Sequence, residues 1–156
     1  WFDKAAGGKH GGLYGYTGPQ SNNQAMTATG MFCRQLDLVP PSDPRMPEGA
    51  QALKMRPMSV SNPAYYYVYY ATLALYQHQG PVWVEWNDRL KETLPRLQNK
   101  NGSDSGSWDK GAGHAASGGR VVSTTLATLS LEVYYRLLPM YGFRNKESAP
   151  PPKLKR

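Results

Sequence analysis

The stretch RVVSTTLATLSLEVYYRLLPMY (120–141), introduced by Gly106-Ser107-Trp108-Asp109, decides the fold class of this chain. About twenty residues with apolar side chains on most of a helical circumference, delivered by a small-residue turn and a tryptophan, read as a helix of a protein core. Its main stripe is Val122, Leu126, Leu129, Val133 and Leu137, widened by Val121, Leu131, Tyr134 and Tyr135, and Pro139 stops it. A helix apolar nearly all round must be enclosed by other elements.

The rest of the chain supplies further helices. From Ser21 to Leu36, Ala25, Ala28, Thr29, Phe32, Cys33 and Leu36 recur at the spacing of one helical face, and Pro40-Pro41 ends the segment. A shorter helix is expected from Pro47 to Met55, ended by Pro57. Asn62-Pro63 reads as a cap and first helical residue for a helix over Ala64–Gln79 that is rich in tyrosine, with Gly80 as its C-terminal cap. Pro81 opens an amphipathic helix whose stripe is Trp83, Trp86, Leu90, Leu94 and Leu97, and Pro95 is expected to loosen its last turn. Residues 1–20, with seven closely spaced glycines or prolines around Tyr14 and Tyr16, read as an ordered loop plugged by those two rings. The regular body therefore covers 1–145 as a single all-α domain, and 146–156, with Pro150-Pro151-Pro152, is a basic, proline-rich tail expected to be disordered.

Composition narrows the function classes. The formal charge is +7, but Arg144, Lys146, Lys153, Lys155 and Arg156 stand against Glu147 alone, so most of the excess is local and the body is only mildly basic. That balance gives no strong nucleic-acid signal. No apolar stretch reaches the ~18–20 residues of a membrane span. The single cysteine, Cys33, excludes an intramolecular disulfide and leaves the compartment open, and its helical setting favours a buried, inert thiol. The chain opens at Trp1 with neither an initiator Met nor a signal peptide, which suggests that sequence lies upstream.

A weak internal repeat runs through the chain. Gly12-Leu13-Tyr14-Gly15 leads to Ala25-Met26-Thr27-Ala28, Gly106-Ser107-Trp108 leads to Ser123-Thr124-Thr125-Leu126-Ala127, and Ala71-Thr72-Leu73-Ala74 occupies a middle unit. A glycine–aromatic turn, an apolar helix and then an amphipathic one, recurring at such intervals, suggests an array of helical hairpins.

On these residues the chain resembles the α/α-toroid family of squalene and terpenoid cyclases and protein prenyltransferase β subunits. Leu97-Gln98 followed by Gly106-Ser107-Trp108, with Lys91 and Leu94 before them, is similar to the glutamine-then-tryptophan repeat of those cyclases. Tyr65-Tyr66-Tyr67-Val68-Tyr69-Tyr70-Ala71-Thr72, Trp83 with Trp86-Asn87, and Leu131-Glu132-Val133-Tyr134-Tyr135-Arg136 look like the C-terminal part of bacterial prenyltransferase/squalene-oxidase-repeat proteins. The resemblance covers residues 1–142. It implies strongly apolar inner helices alternating with amphipathic outer ones, here about two and a half hairpins. The last inner helix then lacks an outer partner, and the expected condition is assembly with other subunits of a homo-oligomer or with a missing N-terminal half.

The chemistry of that family would need an acidic motif or a metal, and the sequence offers neither. Its aspartates occur singly, so no neighbouring carboxylate raises a pKa. Asp109 at the tryptophan turn and His114 in Gly113-His114-Ala115 are the candidate polar turn or ligand residues. Cys33 and His10, His78 and His114 show no ligand spacing, so no metal and no cofactor are expected, and no local signal joins Cys33 to a histidine as a nucleophile pair. The glycine clusters lack a Gly-Lys-Ser/Thr ending and read as connections rather than phosphate loops. Tyr65, Tyr66, Tyr69, Tyr70, Tyr76 and Trp108 are the candidate cavity-lining residues; packed aromatics with bonded hydroxyls are the plain alternative. The expected function is a noncatalytic structural or protein-interaction module. Half of a cyclase- or prenyltransferase-like enzyme, or an isoprenoid or lipid binder, are the alternatives.

Overall fold

A computed structural model describes residues 2–19 and 23–140, apart from the side chains of His114 and Ala115. The tail over 146–156 lies outside the described residues. Within them the chain is mostly helical: α1 (Phe2–Ala5), α2 (Gln24–Leu36), α3 (Arg45–Lys54), α4 (Tyr65–His78), α5 (Gly80–Leu97) and α6 (His114–Arg136). Strands β1 (Ala6–Gly7) and β2 (Leu13–Tyr14) form a small antiparallel pair with Ala6 opposite Tyr14 and Gly7 opposite Leu13.

The central element is α4, not α6. It packs along α2 and α6, and α5 and α3 also lie against it. Its residues from Ala71 to Gln77 are buried without a break. By contrast α6 leaves Val121 76% and Tyr135 69% exposed, with Leu138 beyond it at 82%. Helix α6 is thus only partly enclosed within the chain, and most of its expected stripe is not fully buried. Val133 is buried, Val122, Leu126 and Leu129 are half-buried, and Leu137 falls outside the helix. Besides Val133, the residues α6 buries are small ones at helical spacing, Ser123, Ala127 and Ser130. Small side chains let its backbone approach the bulky tyrosines of α4, the large-against-small complement that close packing requires.

Three contacts give α2, α4 and α6 a common direction. Gln35 near the end of α2 donates to the Ala74 carbonyl (2.9 Å). Tyr76 near the end of α4 donates to the Leu137 carbonyl just past α6 (2.7 Å). At the other end, the Ala112 N–H bonds the Pro63 carbonyl just before α4 (2.9 Å). Against this layer α5 runs the opposite way, since Trp86 Nε1 donates to Thr72 (2.9 Å) while the earlier Trp83 meets the later Tyr76 edge-on. The Lys54–Glu85 ion pair (3.0 Å) joins α3 to α5.

Several local expectations change. The Asn62–Pro63 cap does not form: Ala64 holds the cap position with no side-chain bond, because Pro63 is drawn to the 111–112 loop instead. That approach is so close that a Cβ on Gly111 would stand 1.9 Å from the Pro63 oxygen. Helix α3 begins at Arg45 rather than Pro47, with Asp43 accepting from the Arg45 N–H (3.0 Å). Helix α5 continues through Pro95 to Leu97, its proline ring on the exposed side. Gly119 (φ 66°) breaks α6 near its start, so the regular part begins at Arg120. The first twenty residues hold α1 and the strand pair rather than a plain loop. Tyr14 is buried as a plug, whereas Tyr16 is 63% exposed.

Candidate functional site

The candidate aromatic residues separate into two groups. Tyr65, Tyr76 and Trp108 are buried members of the core. Trp108 Nε1 donates to the Leu94 carbonyl (2.7 Å), fastening the turn before α6 to α5. Burial, with the nearby Asp109 charge, pushes the Tyr65 hydroxyl up to about 12, and burial raises that of Tyr76. These three are packing residues whose polar tips are bonded or held neutral.

Tyr66, Tyr69 and Tyr70 are only half-buried and form one cluster. Tyr70 stacks on Tyr66 (4.7 Å between centroids) and meets Tyr69 edge-on (5.3 Å). Helical spacing sets Tyr66 and Tyr70 on one stripe of α4 with Leu73, and Tyr69 on the stripe of Thr72 and Tyr76, which turns toward α5. The half-buried Phe32 of α2 and Leu126 of α6 pack against the core, and Cys33 lies near enough to Tyr70 to act on its hydroxyl. Burial, then Tyr66, raises the Tyr70 hydroxyl, and burial raises the Cys33 thiol. Tyr70 and Cys33 thus stay protonated at ordinary pH, offering a hydroxyl donor and a thiol rather than a base or a thiolate.

Of the two polar candidates, Asp109 is bound into the turn before α6. Asp109 accepts from Asn99 (3.1 Å) and Arg120 (2.8 Å), and these bonds hold its carboxyl below the usual range. Arg120 also pairs with Asp104. A general acid needs the opposite shift. His114 opens α6, and its side chain lies outside the described residues. Among the described residues no three of His, Cys, Asp or Glu gather as a metal site, and no helix is long and apolar enough to cross a membrane. Burial lowers the pKa of His78, which leaves it neutral.

Two features lay beyond the sequence reading. Glu48 of α3 accepts the backbone N–H groups of Lys9 (2.6 Å), His10 (3.0 Å) and Gly12 (2.8 Å), so one carboxylate ties down the β1–β2 turn. No periodic signal marks such a contact. The second is a matched pair of bonds. The Tyr14 N–H donates to Thr27 Oγ1 (3.1 Å), and the Trp108 N–H donates to Thr124 Oγ1 (3.1 Å). In both units a turn aromatic is hung by its backbone on a threonine of the next helix. The echo of glycine–aromatic turns and small-residue patches was the available signal.

This pair sets a register between α2 and α6. Carrying Thr27 onto Thr124 carries Ala28, Met31 and Gln35 of α2 onto Thr125, Thr128 and Glu132 of α6. On α2 these positions are buried, and Gln35 bonds α4. On α6 Thr125 and Thr128 are exposed and Glu132 half-buried, beside the exposed Val121 and Tyr135. A groove of about 400 Å³ opens on the same side, between Ser103–Ser107 and Arg120, Val121, Thr124 and Thr125. Another, of about 210 Å³, lies between the 57–60 segment and α5, lined by Trp86, Arg89 and Leu90. No family model, curated protein or solved structure matches the chain.

Proposed function

We propose that the chain is a noncatalytic helical-repeat interaction module, part of an α/α-toroid-type array, whose α6 flank receives the next helix of an assembly. The carrying observation is the register just described: α6 presents to solvent the positions that α2 buries against α4. Among the described residues the charges on that flank are paired, Arg120 with Asp104 and Asp109 and Glu132 with Arg136. The test is a Thr128→Cys probe on a Cys33→Ala background, labelled with maleimide both in cells carrying the gene in its own context and in the dilute purified chain. Protection in cells with rapid labelling in dilute solution supports a covered flank. Equal, rapid labelling in both sinks the reading.

A second reading rests on Tyr66, Tyr69 and Tyr70, whose half-buried rings suit an isoprenoid or lipid chain. Quenching of tyrosine fluorescence by a prenyl alcohol in the wild type, abolished in Tyr66→Ala/Tyr70→Ala, would support it. No quenching at millimolar alcohol would remove it.

A further inference from the structure

The structure assigns to residues 137–140 the role of a releasable strap across the end of α4, latched by Gln77, whose opening uncovers the apolar stripe of that helix. Tyr66, Tyr70, Leu73 and Gln77 recur at the spacing of one face of α4. Burial along this stripe is uneven: Tyr66 and Tyr70 are half-buried, whereas Leu73 and Gln77 are buried. The buried end is the end that the chain leaving α6 crosses. There the Tyr76 hydroxyl donates to the Leu137 carbonyl (2.7 Å), Gln77 Nε2 donates to the Leu138 carbonyl (3.2 Å), and the Met140 N–H donates to Gln77 Oε1 (2.7 Å).

The latch uses both ends of one amide side chain. Gln77 gives a donor to one backbone carbonyl and an acceptor to the N–H two residues further on, so it fastens backbone rather than side chains. The strap itself lies outside the helices and strands, with extended backbone at Leu137 (φ −113°, ψ 144°). Pro139 is buried and Met140 half-buried, but Leu137 and Leu138 are exposed. Release therefore frees few buried side chains and leaves α6 packed on α4 through Ser123, Ala127 and Ser130. A segment with few buried apolar contacts, held by a handful of bonds, opens at a lower free energy than the core beneath it. At 1.5 Å per residue, opening lengthens the reachable stripe from about 6 Å, Tyr66 to Tyr70, to about 16 Å, Tyr66 to Gln77. The strap thus governs how much of this face an apolar occupant can reach, and it stands independently of both readings above.

Amide hydrogen exchange across a series of low urea concentrations tests the strap in the wild type, Gln77→Met and Tyr76→Phe. A locally opening strap lets the Met140 N–H exchange at a rate that low urea leaves unchanged, while the Val68 and Leu75 amides of α4 exchange faster as urea rises. Both substitutions speed the exchange of Met140, Gln77→Met by about tenfold or more because it removes two of the three bonds. Circular dichroism confirms that each variant keeps its helices. A Met140 amide with the same urea dependence as Val68 and Leu75 overturns the inference, since the segment would then open only with the whole core. So does an exchange rate that neither variant changes. Access to the stripe is read by maleimide labelling of Leu73→Cys on a Cys33→Ala background, with and without Gln77→Met. Faster labelling with Gln77→Met, at a rate that low urea leaves unchanged, supports the strap; equal labelling shows that it does not cover the stripe and overturns its role.

Discussion

The ring of Tyr14 occupies the space in which a side chain on Gly30 would begin: a Cβ there would stand 2.6 Å from the ring's Cγ and Cδ2. Gly30 lies inside α2, where glycine costs about 1 kcal/mol relative to alanine. The local cost is offset by a tertiary contact, since the absent side chain lets a buried aromatic lie flat against the helix.

Gly30→Ala accordingly destabilises the protein although it improves helix propensity. Overpacking of this kind costs about 1–3 kcal/mol, which exceeds the propensity gain. The urea midpoint falls. A midpoint at or above that of the wild type would mean that the Tyr14 ring moves aside freely.

Thr27→Val and Thr124→Val form a matched pair. Each leaves a backbone N–H without its acceptor, that of Tyr14 in one case and of Trp108 in the other, at a cost of about 1–3 kcal/mol. If the two turns are equivalent units, the losses in denaturation free energy agree to within about 1 kcal/mol. A loss confined to one variant would break the equivalence on which the α2–α6 register rests.

Trp108→Phe keeps an aromatic ring at the turn but removes the donor to the Leu94 carbonyl. A drop of about 1–3 kcal/mol is expected from the unmade bond and the lost volume. Helix content by circular dichroism stays near that of the wild type, because the turn joins α5 to α6 without nucleating either. Collapse of the helical signal would give the tryptophan a larger role.

Glu48 sets a pH dependence. Burial alone would raise its pKa, but the N–H groups of Gly12, His10 and Lys9 outweigh that and hold it below 4.5. A carboxyl with a depressed folded pKa contributes stability that is full above its unfolded value and is lost as pH falls through the folded one. Stability should therefore decline from about pH 4.5 downward. Glu48→Gln, less stable at pH 7, should lose less than the wild type between pH 5 and pH 3 in urea titrations. Equal losses in the two proteins would place the acid sensitivity elsewhere.

Helices α2 to α5 were legible because their apolar residues recur at the helical period and prolines and glycines punctuate them. Boundaries shifted where a partner distant in sequence claimed the backbone, as the 111–112 loop does at Pro63. The β1–β2 pair escaped notice because two residues per strand are too few for an alternating pattern. The aromatic candidates were recognisable as a set but not as two groups, since Tyr65 and Tyr69 have the same composition signal and differ only in what packs beside them.

The sequence by itself determined that the chain is helical, where most helices run, and that its turns carry aromatic residues ahead of apolar helices, because those properties follow from local period and turn chemistry. Only the tertiary structure decided that α4 is the centre and which residues of α6 are left exposed. Residues 120–138 look more apolar than the tyrosine-rich segment, yet burial is set by neighbours. Small side chains carry α6 against α4 on one face, while Val121 and Tyr135 stay exposed.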